Sequence, residues 1–321
     1  MIHGQTQLLS ARRPVAEVVS APETAPELRA QLETVERVRK HAHMLGLSVD
    51  RQYTDYVAWP GDRIITTLVV AAPGSVEARL FRFPVVGRLP YKGFFDVARA
   101  ERAAEAFRED GLDVCLVPVP AYSTLGIFSD PITQPMLRAG TGRTVETVLH
   151  ELVHATVFVK GDTGLNESAA SFIGQEASVD FYRSDPKLFQ ERRLEVNDDR
   201  MISVEILAFG ETVRTLYDRS PEGHAQASPE RRKAAEEVAR ARIRALPLTR
   251  RDPARVADLA RLNDACLALR STYSADLPLH QRIFDELGGD LPAFIERLRS
   301  ASETEDPRTF FFALPETDPS S

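Results

Sequence analysis

Between Thr144 and Thr156 the chain reads TVETVLHELVHAT, and this stretch restricts the available folds more than any other. Val145, Val148, Leu149, Leu152 and Val153 fall three and four residues apart, the period of a helix with a broad apolar face that other elements must cover. Yet the same helix carries polar groups at 150, 151 and 154. Residues four apart lie one above the other, so His150 and His154 can offer both imidazoles to a single ion. Glu151 is turned about 100° from His150 and can reach a water molecule beside such an ion without being a ligand. An HExxH pattern arises by chance in roughly one chain of this length in a hundred, so a second signal is needed.

That signal begins twelve residues after His154, where Asn166-Glu167-Ser168-Ala169-Ala170-Ser171-Phe172-Ile173-Gly174 predicts a second helix with one carboxylate among small and apolar residues. The turn Gly161-Asp162-Thr163-Gly164 lets the two helices pack antiparallel, with Glu167 facing the histidines. Catalytic zinc takes three protein ligands and keeps a fourth position open, and two histidines with a glutamate are one known set. A structural zinc would need four ligands, and only three are visible. Glu176, further along the same helix, is the rival third ligand. The expected complement is one Zn2+ per chain.

The rest of the chain divides into an α+β half and a helical half. Leu28, Leu32, Val35, Val38, Ala42 and Leu45 predict a helix over 25–46, with His41 and His43 near its end pointing different ways and read as solvated. Strands are expected at 64–72, 79–83 and 114–119, with a helix over about 95–109 ended by Gly111. After residue 140 the pattern is helical, punctuated by Pro186, Pro221, Pro229, Pro247 and Pro253. The fold class read from this is α+β: an N-terminal mixed sheet with helices and a mainly helical C-terminal half. Two lobes are expected, 1–185 carrying the metal motif and 186–321 completing the cleft that holds the active site. The Arg, Glu and Ala-rich stretch 219–258 reads as a solvated helical face. Near the end, Phe310 to Leu314 should dock one apolar strip. Pro118 and Pro120 cannot donate ladder hydrogen bonds, which places the strand before residue 120 at a sheet edge. Tyr122, Ser123, Thr124 and Leu125 beyond it could then pair with an extended peptide.

A formal net charge of −7 over 321 residues argues against a nucleic-acid partner, which needs a dominant basic surface. Cys115 and Cys266, far apart in a strand-like and a helix-like segment, read as buried free thiols. No apolar run approaches the roughly 18 residues that span a bilayer. The N-terminal MIHGQT lacks the apolar stretch of a secretory signal, leaving a cytoplasmic chain or one whose export signal has been removed.

HELVH followed by NESAASFIG resembles the gluzincins, whose third zinc ligand is the glutamate of an Asn-Glu helix downstream of HExxH. More narrowly, QLLSARRPVAEVV, FRFPVVGRLPYKGFF, VPAYSTLGIFSDP, HELVHATVFV, DTGLNESAASFIG and RLNDACLALRSTY resemble a bacterial zinc aminopeptidase family across nearly the whole chain. The resemblance implies a zincin-like fold, a peptide substrate, and a place in the bacterial periplasm or cell envelope. It also implies an oxyanion donor from the C-terminal half, for which Tyr273 is the first choice, followed by Tyr122, Tyr182 and His280. Position 171 is serine where thermolysin-like gluzincins have an aspartate, and the Gly-x-Met-Glu-Asn amine-binding segment is absent. The function expected is therefore zinc-dependent peptide hydrolysis with Glu151 as general base, the aminopeptidase activity resting on resemblance alone. The alternative is a zincin-fold binding or scaffold protein without turnover.

Overall fold

The computed structural model describes residues 2–83, 87–121, 129–218 and 229–313. The chain starts with α1 (Ile2–Ser10), β1 (Arg12–Pro14), α2 (Val15–Ser20) and the long α3 (Pro26–Met44). Strands then dominate: β2 (Asp55–Val57), β3 (Ile65–Ala71), β4 (Phe81–Phe83), β5 (Gly87–Leu89), β6 (Lys92–Phe94), and, after α4 (Val97–Glu109), β7 (Asp113–Val119) and β8 (Ile132–Thr133). The described residues beyond are helical: α5 (Gln134–Arg138), α6 (Thr141–Thr156), α7 (Thr163–Asp180), α8 (Pro186–Asp218), α9 (Pro229–Arg244), α10 (Pro253–Leu259), α11 (Asp264–Ser274), α12 (Leu277–Glu286), α13 (Leu291–Ser302) and α14 (Pro307–Phe312). The α+β division expected from the sequence is present, with small sheets in the N-terminal half and helices in the C-terminal half.

The helix starts follow from local chemistry. Pro186, Pro229 and Pro253 each open a helix, where a missing N–H costs nothing. Asp96, Asp162, Asp252, Asp290 and Asp306 accept a backbone N–H from the first turn of the helix each precedes. Helix α4 ends on Gly111, whose φ of 75° is a left-handed conformation that glycine adopts without strain.

The strands form three small sheets. One is antiparallel, ordered β6-β3-β7; one is mixed, β1-β2-β8, with β2 parallel to β8; the last is the β4-β5 hairpin. β7 lies at an edge, as Pro118 within it requires. That edge is largely closed: the Val114 and Leu116 carbonyls accept from Asn263 Nδ2 and Arg261 Nη1, and Pro118 and Pro120 have no N–H to give. The peptide-pairing stretch expected at Tyr122, Ser123, Thr124 and Leu125 lies outside the described residues, as do Pro221 and Leu314.

The main core joins α3, α6 and α7 to α12, α13 and α14, with Leu32, Val148, Leu152, Phe172, Phe294 and Phe311 fully buried in it. Phe311 on α14 is the apolar docking expected near the C-terminus. A second cluster packs α8 against α9 and α10 through Ile206, Phe209, Val213, Ala239, Ile243 and Ala257. Most of α9 faces outwards, as its composition suggests. Buried Asp198 on α8 fastens the connection between α9 and α10 by accepting the backbone N–H groups of Thr249, Arg250 and Arg251.

Two sequence expectations are corrected. Cys115 and Cys266 are joined in a disulfide, with Cα atoms 5.2 Å apart, because α11 packs on β7 and brings together residues 151 positions apart. His41 is not solvated: it lies 3.4 Å from Asp180 and edge-on to Phe181, because α3 packs beside the end of α7. His43 is exposed.

Candidate metal centre

Helix α6 turns the apolar residues of its HExxH stretch into the main core and so fixes the rotation of the two histidines. Helix α7 is buried on nearly every side, with Leu165, Ala169, Ala170, Phe172, Ile173 and Ala177 inaccessible to solvent. The connection between them is set by Asn166, whose side chain accepts from Val159 N at 2.8 Å and donates to Val159 O at 2.7 Å. This clamp fixes the register of Glu167. Further along, a Cβ on Gly174 would lie 3.1 Å from Glu146 O and 3.2 Å from both the Cβ and N of His150. Only glycine lets α7 come this close to the backbone of α6.

The result is a compact donor set. His150 Nε2 and His154 Nε2 are 3.2 Å apart, and Glu167 Oε2 is 3.5 and 3.4 Å from them. With metal–ligand bonds of 2.0–2.1 Å, tetrahedral angles put donor atoms about 3.3 Å apart, so these three atoms are spaced to share one ion. Among the described residues this is the one group of three or more metal-capable side chains that converges in this way.

Electrostatics favour a cation here. Glu167 is buried, and burial alone would raise its pKa, but hydrogen bonds and charge from His150 and His154 hold it well below the usual carboxylate range. Burial would depress His154, yet the hydrogen bond and charge of Glu167, with the charge of Glu151, raise its pKa. The Oε2 of Glu151 is buried and has no hydrogen-bond partner among the described residues. An unpartnered buried carboxylate oxygen is costly unless a proton, water or cation answers it.

Three tyrosines surround the group. Tyr91, between β5 and β6, donates its hydroxyl to Glu167 Oε1 at 3.3 Å. The ring of Tyr273, on α11, stacks on His150 with centroids 6.3 Å apart, and its pKa is raised well above the ordinary value by burial, by the charge of Glu167, by Tyr91 and Glu151, and by a hydrogen bond to Glu167. Tyr53 sits in the left-handed region at φ 60°, with its N–H bonded to Asp130 O; burial and the charges of Glu151 and Asp130 raise its phenol. A buried tyrosine in that conformation is strained and is held by its surroundings.

Other sequence candidates lie elsewhere. Glu176 faces away from the histidines and is taken by Arg193 and Arg200. His280 is buried on Ser168 Oγ at 2.9 Å among Phe172, Phe294, Phe311 and Phe312. Tyr182 is half-buried against Phe181. Tyr91 and Tyr53 escaped the sequence reading: neither belongs to a periodic pattern, and the only signal for Tyr91 was its place in the FRFPVVGRLPYKGFF segment. A cavity of about 760 Å³ runs along the outer edge of β7 and shares no residue with the metal group.

A family model described as "Putative aminopeptidase" matches residues 1–309. No curated protein and no solved structure matches the chain. No described helix is long and apolar enough to cross a membrane.

Proposed function

We propose that this chain, which belongs to the Putative aminopeptidase family, is a zincin-like, zinc-dependent peptide hydrolase of the gluzincin type, with aminopeptidase action as the form its family name suggests. The observation that carries this reading is the tetrahedral spacing of His150, His154 and Glu167 beside the unpartnered Oε2 of Glu151. One Zn2+ per chain would be held by those three side chains, and when bound it would supply a Lewis acid that polarises the scissile carbonyl and acidifies water.

The remaining steps belong to the protein. Glu151 offers its free oxygen to the attacking water, takes one proton as the O–C bond forms, and delivers it to the leaving nitrogen as the C–N bond breaks. Tyr273 keeps its proton at working pH, as its raised pKa requires, and donates a hydrogen bond to the developing oxyanion. In this reading residues 1–185 bring the metal helices and 186–321 bring Tyr273, the two lobes closing the cleft. Tyr122 to Leu125 would hold the peptide in extended form, since the edge of β7 before them is already capped by Asn263 and Arg261.

Zinc analysis of the purified protein, together with a peptide library read by mass spectrometry, tests the proposal. About one zinc per chain, cleavage by the wild type, and a metal-loaded but inactive Glu151→Gln variant are expected, because the amide cannot take the proton. An active Glu151→Gln removes the general-base role. A second reading, a zincin fold that binds without turnover, draws on His154 Nδ1, which is buried with no acceptor among the described residues to orient the ring. A stoichiometric zinc protein that cleaves nothing in the library would favour it.

A further inference from the structure

We propose that Tyr91 is the positioning residue that restricts Glu167 to a one-oxygen grip on the ion and so keeps the fourth coordination position open. The inference rests on the metal reading above and adds a specific task for a side chain outside the HExxH and Asn-Glu helices.

The two oxygens of Glu167 have different neighbours. Oε2 faces both imidazoles, whereas Oε1 accepts the hydroxyl of Tyr91. A carboxylate can bind a cation through one oxygen or two, and a second oxygen would raise the coordination number and crowd the position that a catalytic site must leave for water or substrate. To bring Oε1 onto the ion, the carboxylate would have to turn about its last bond and give up the tyrosine. The hydroxyl is the donor in this pair, because an ionised carboxylate can only accept. At 3.3 Å the bond is longer than a typical O–H···O bond, so its work is orientation more than binding strength.

Tyr91 is itself held in place. It packs against the buried cluster of Val69, Ala71, Cys115 and Ala265, on the floor formed by β3, β7 and α11, with the Cys115–Cys266 disulfide in that same floor. Pro90 fixes the backbone just before it. The antiparallel sheet therefore sets the height of the hydroxyl over α7 independently of the two metal helices. Tyr273 also hydrogen-bonds to Glu167, but its ring lies over His150 and it has been given the oxyanion role, so the two phenols are separated by what their loss does to turnover and to the metal.

The test is Tyr91→Phe, which deletes the hydroxyl alone, loaded with zinc for affinity by chelator competition and with cobalt(II) for its visible spectrum. The expected result is a tenfold to hundredfold weaker zinc Kd, the range seen when a ligand loses its orienting partner. The cobalt bands should move from a four-coordinate towards a five-coordinate pattern. Tyr273→Phe, which also loses a bond to Glu167, should lower kcat while changing zinc affinity and the cobalt bands less than Tyr91→Phe does. A Tyr91→Phe protein with wild-type zinc affinity and a wild-type cobalt spectrum overturns the inference, and if its kcat alone is lost, Tyr91 is the oxyanion donor instead. Wild-type protein that takes up no stoichiometric metal would instead overturn the metal reading itself. Should Tyr91→Phe fail to fold, Tyr91→His, which keeps a ring and a donor, is read by the same two measurements: affinity and spectrum nearer wild type support the inference, and metal affinity lost despite the retained donor overturns it.

Discussion

Replacing Gly174 with alanine tests the close approach of α7 to α6 at the candidate metal centre. The added methyl would stand 3.1 Å from Glu146 O and 3.2 Å from His150 Cβ and N, whereas unstrained carbon contacts lie near 3.5–4.0 Å. Two of those atoms are backbone inside a helix, so relief requires α6 and α7 to part by a few tenths of an ångström. Overpacking of this kind costs about 1–3 kcal/mol, and the better helix propensity of alanine returns about 1 kcal/mol, leaving a net loss of about 0–2 kcal/mol. The effect on the metal should be larger than that on the fold. His150 is on the segment that moves while Glu167 moves with α7, and ligand distances tolerate only about 0.2 Å. A zinc Kd at least tenfold weaker is expected, measured by chelator competition, with the melting of the metal-free protein lowered by a few degrees. A Gly174→Ala protein that binds zinc as tightly as the wild type would show that the close approach does not set the site.

Three more outcomes are expected. Tyr273→Phe should lower kcat by on the order of 10²-fold with KM nearly unchanged, since the hydroxyl engages mainly the transition state; an unchanged kcat would make Tyr273 an ordinary packed ring. Reducing the Cys115–Cys266 disulfide, which closes a loop of 151 residues, should cost about 2–5 kcal/mol in denaturant titrations. It should also lower turnover more than zinc content, because α11 carries Tyr273 but no ligand; equal losses of both would count against this division. His280 is buried, and burial pushes its pKa down from 6.5 to about 3, so the folded protein refuses a proton that the unfolded chain accepts below about 6.5. Stability of the metal-free protein should then be full above pH 6.5 and fall as pH drops towards 3, by on the order of 1 kcal/mol per pH unit from this group; His280→Phe should flatten that slope, and an unaltered slope would assign it to other groups.

Features set by chain-local periodicity could be read without a structure. The HExxH helix, the Asn-Glu helix and their antiparallel packing follow from residues three, four and twelve apart, and so does the convergence of His150, His154 and Glu167. The edge position of β7 was legible because proline lacks a donor. The disulfide was not, since Cys115 and Cys266 meet only after α11 lies on β7, and nothing near either residue announces it. Tyr91 was hidden for the same reason: it stands in a connection between short strands, and its relation to Glu167 is created by the sheet. His41 read as solvated because one helix cannot reveal the neighbour, Asp180, that will arrive beside it. Gly174 carried no signal of its own in the sequence, and its purpose is visible only against His150.

The donor trio is drawn from one short stretch, His150 to Glu167, closed by the Asn166 clamp on Val159. Contacts so near in sequence form early in folding, whereas those linking Tyr91 and Tyr273 to this stretch must wait for long loops to close. An ion could therefore be captured by the nascent helical hairpin and act as a nucleus around which later elements collect. On the proposed reading, the surroundings that make such an ion reactive would be completed only when the sheet and α11 arrive, so an ion held by the unfinished chain would sit in inert company.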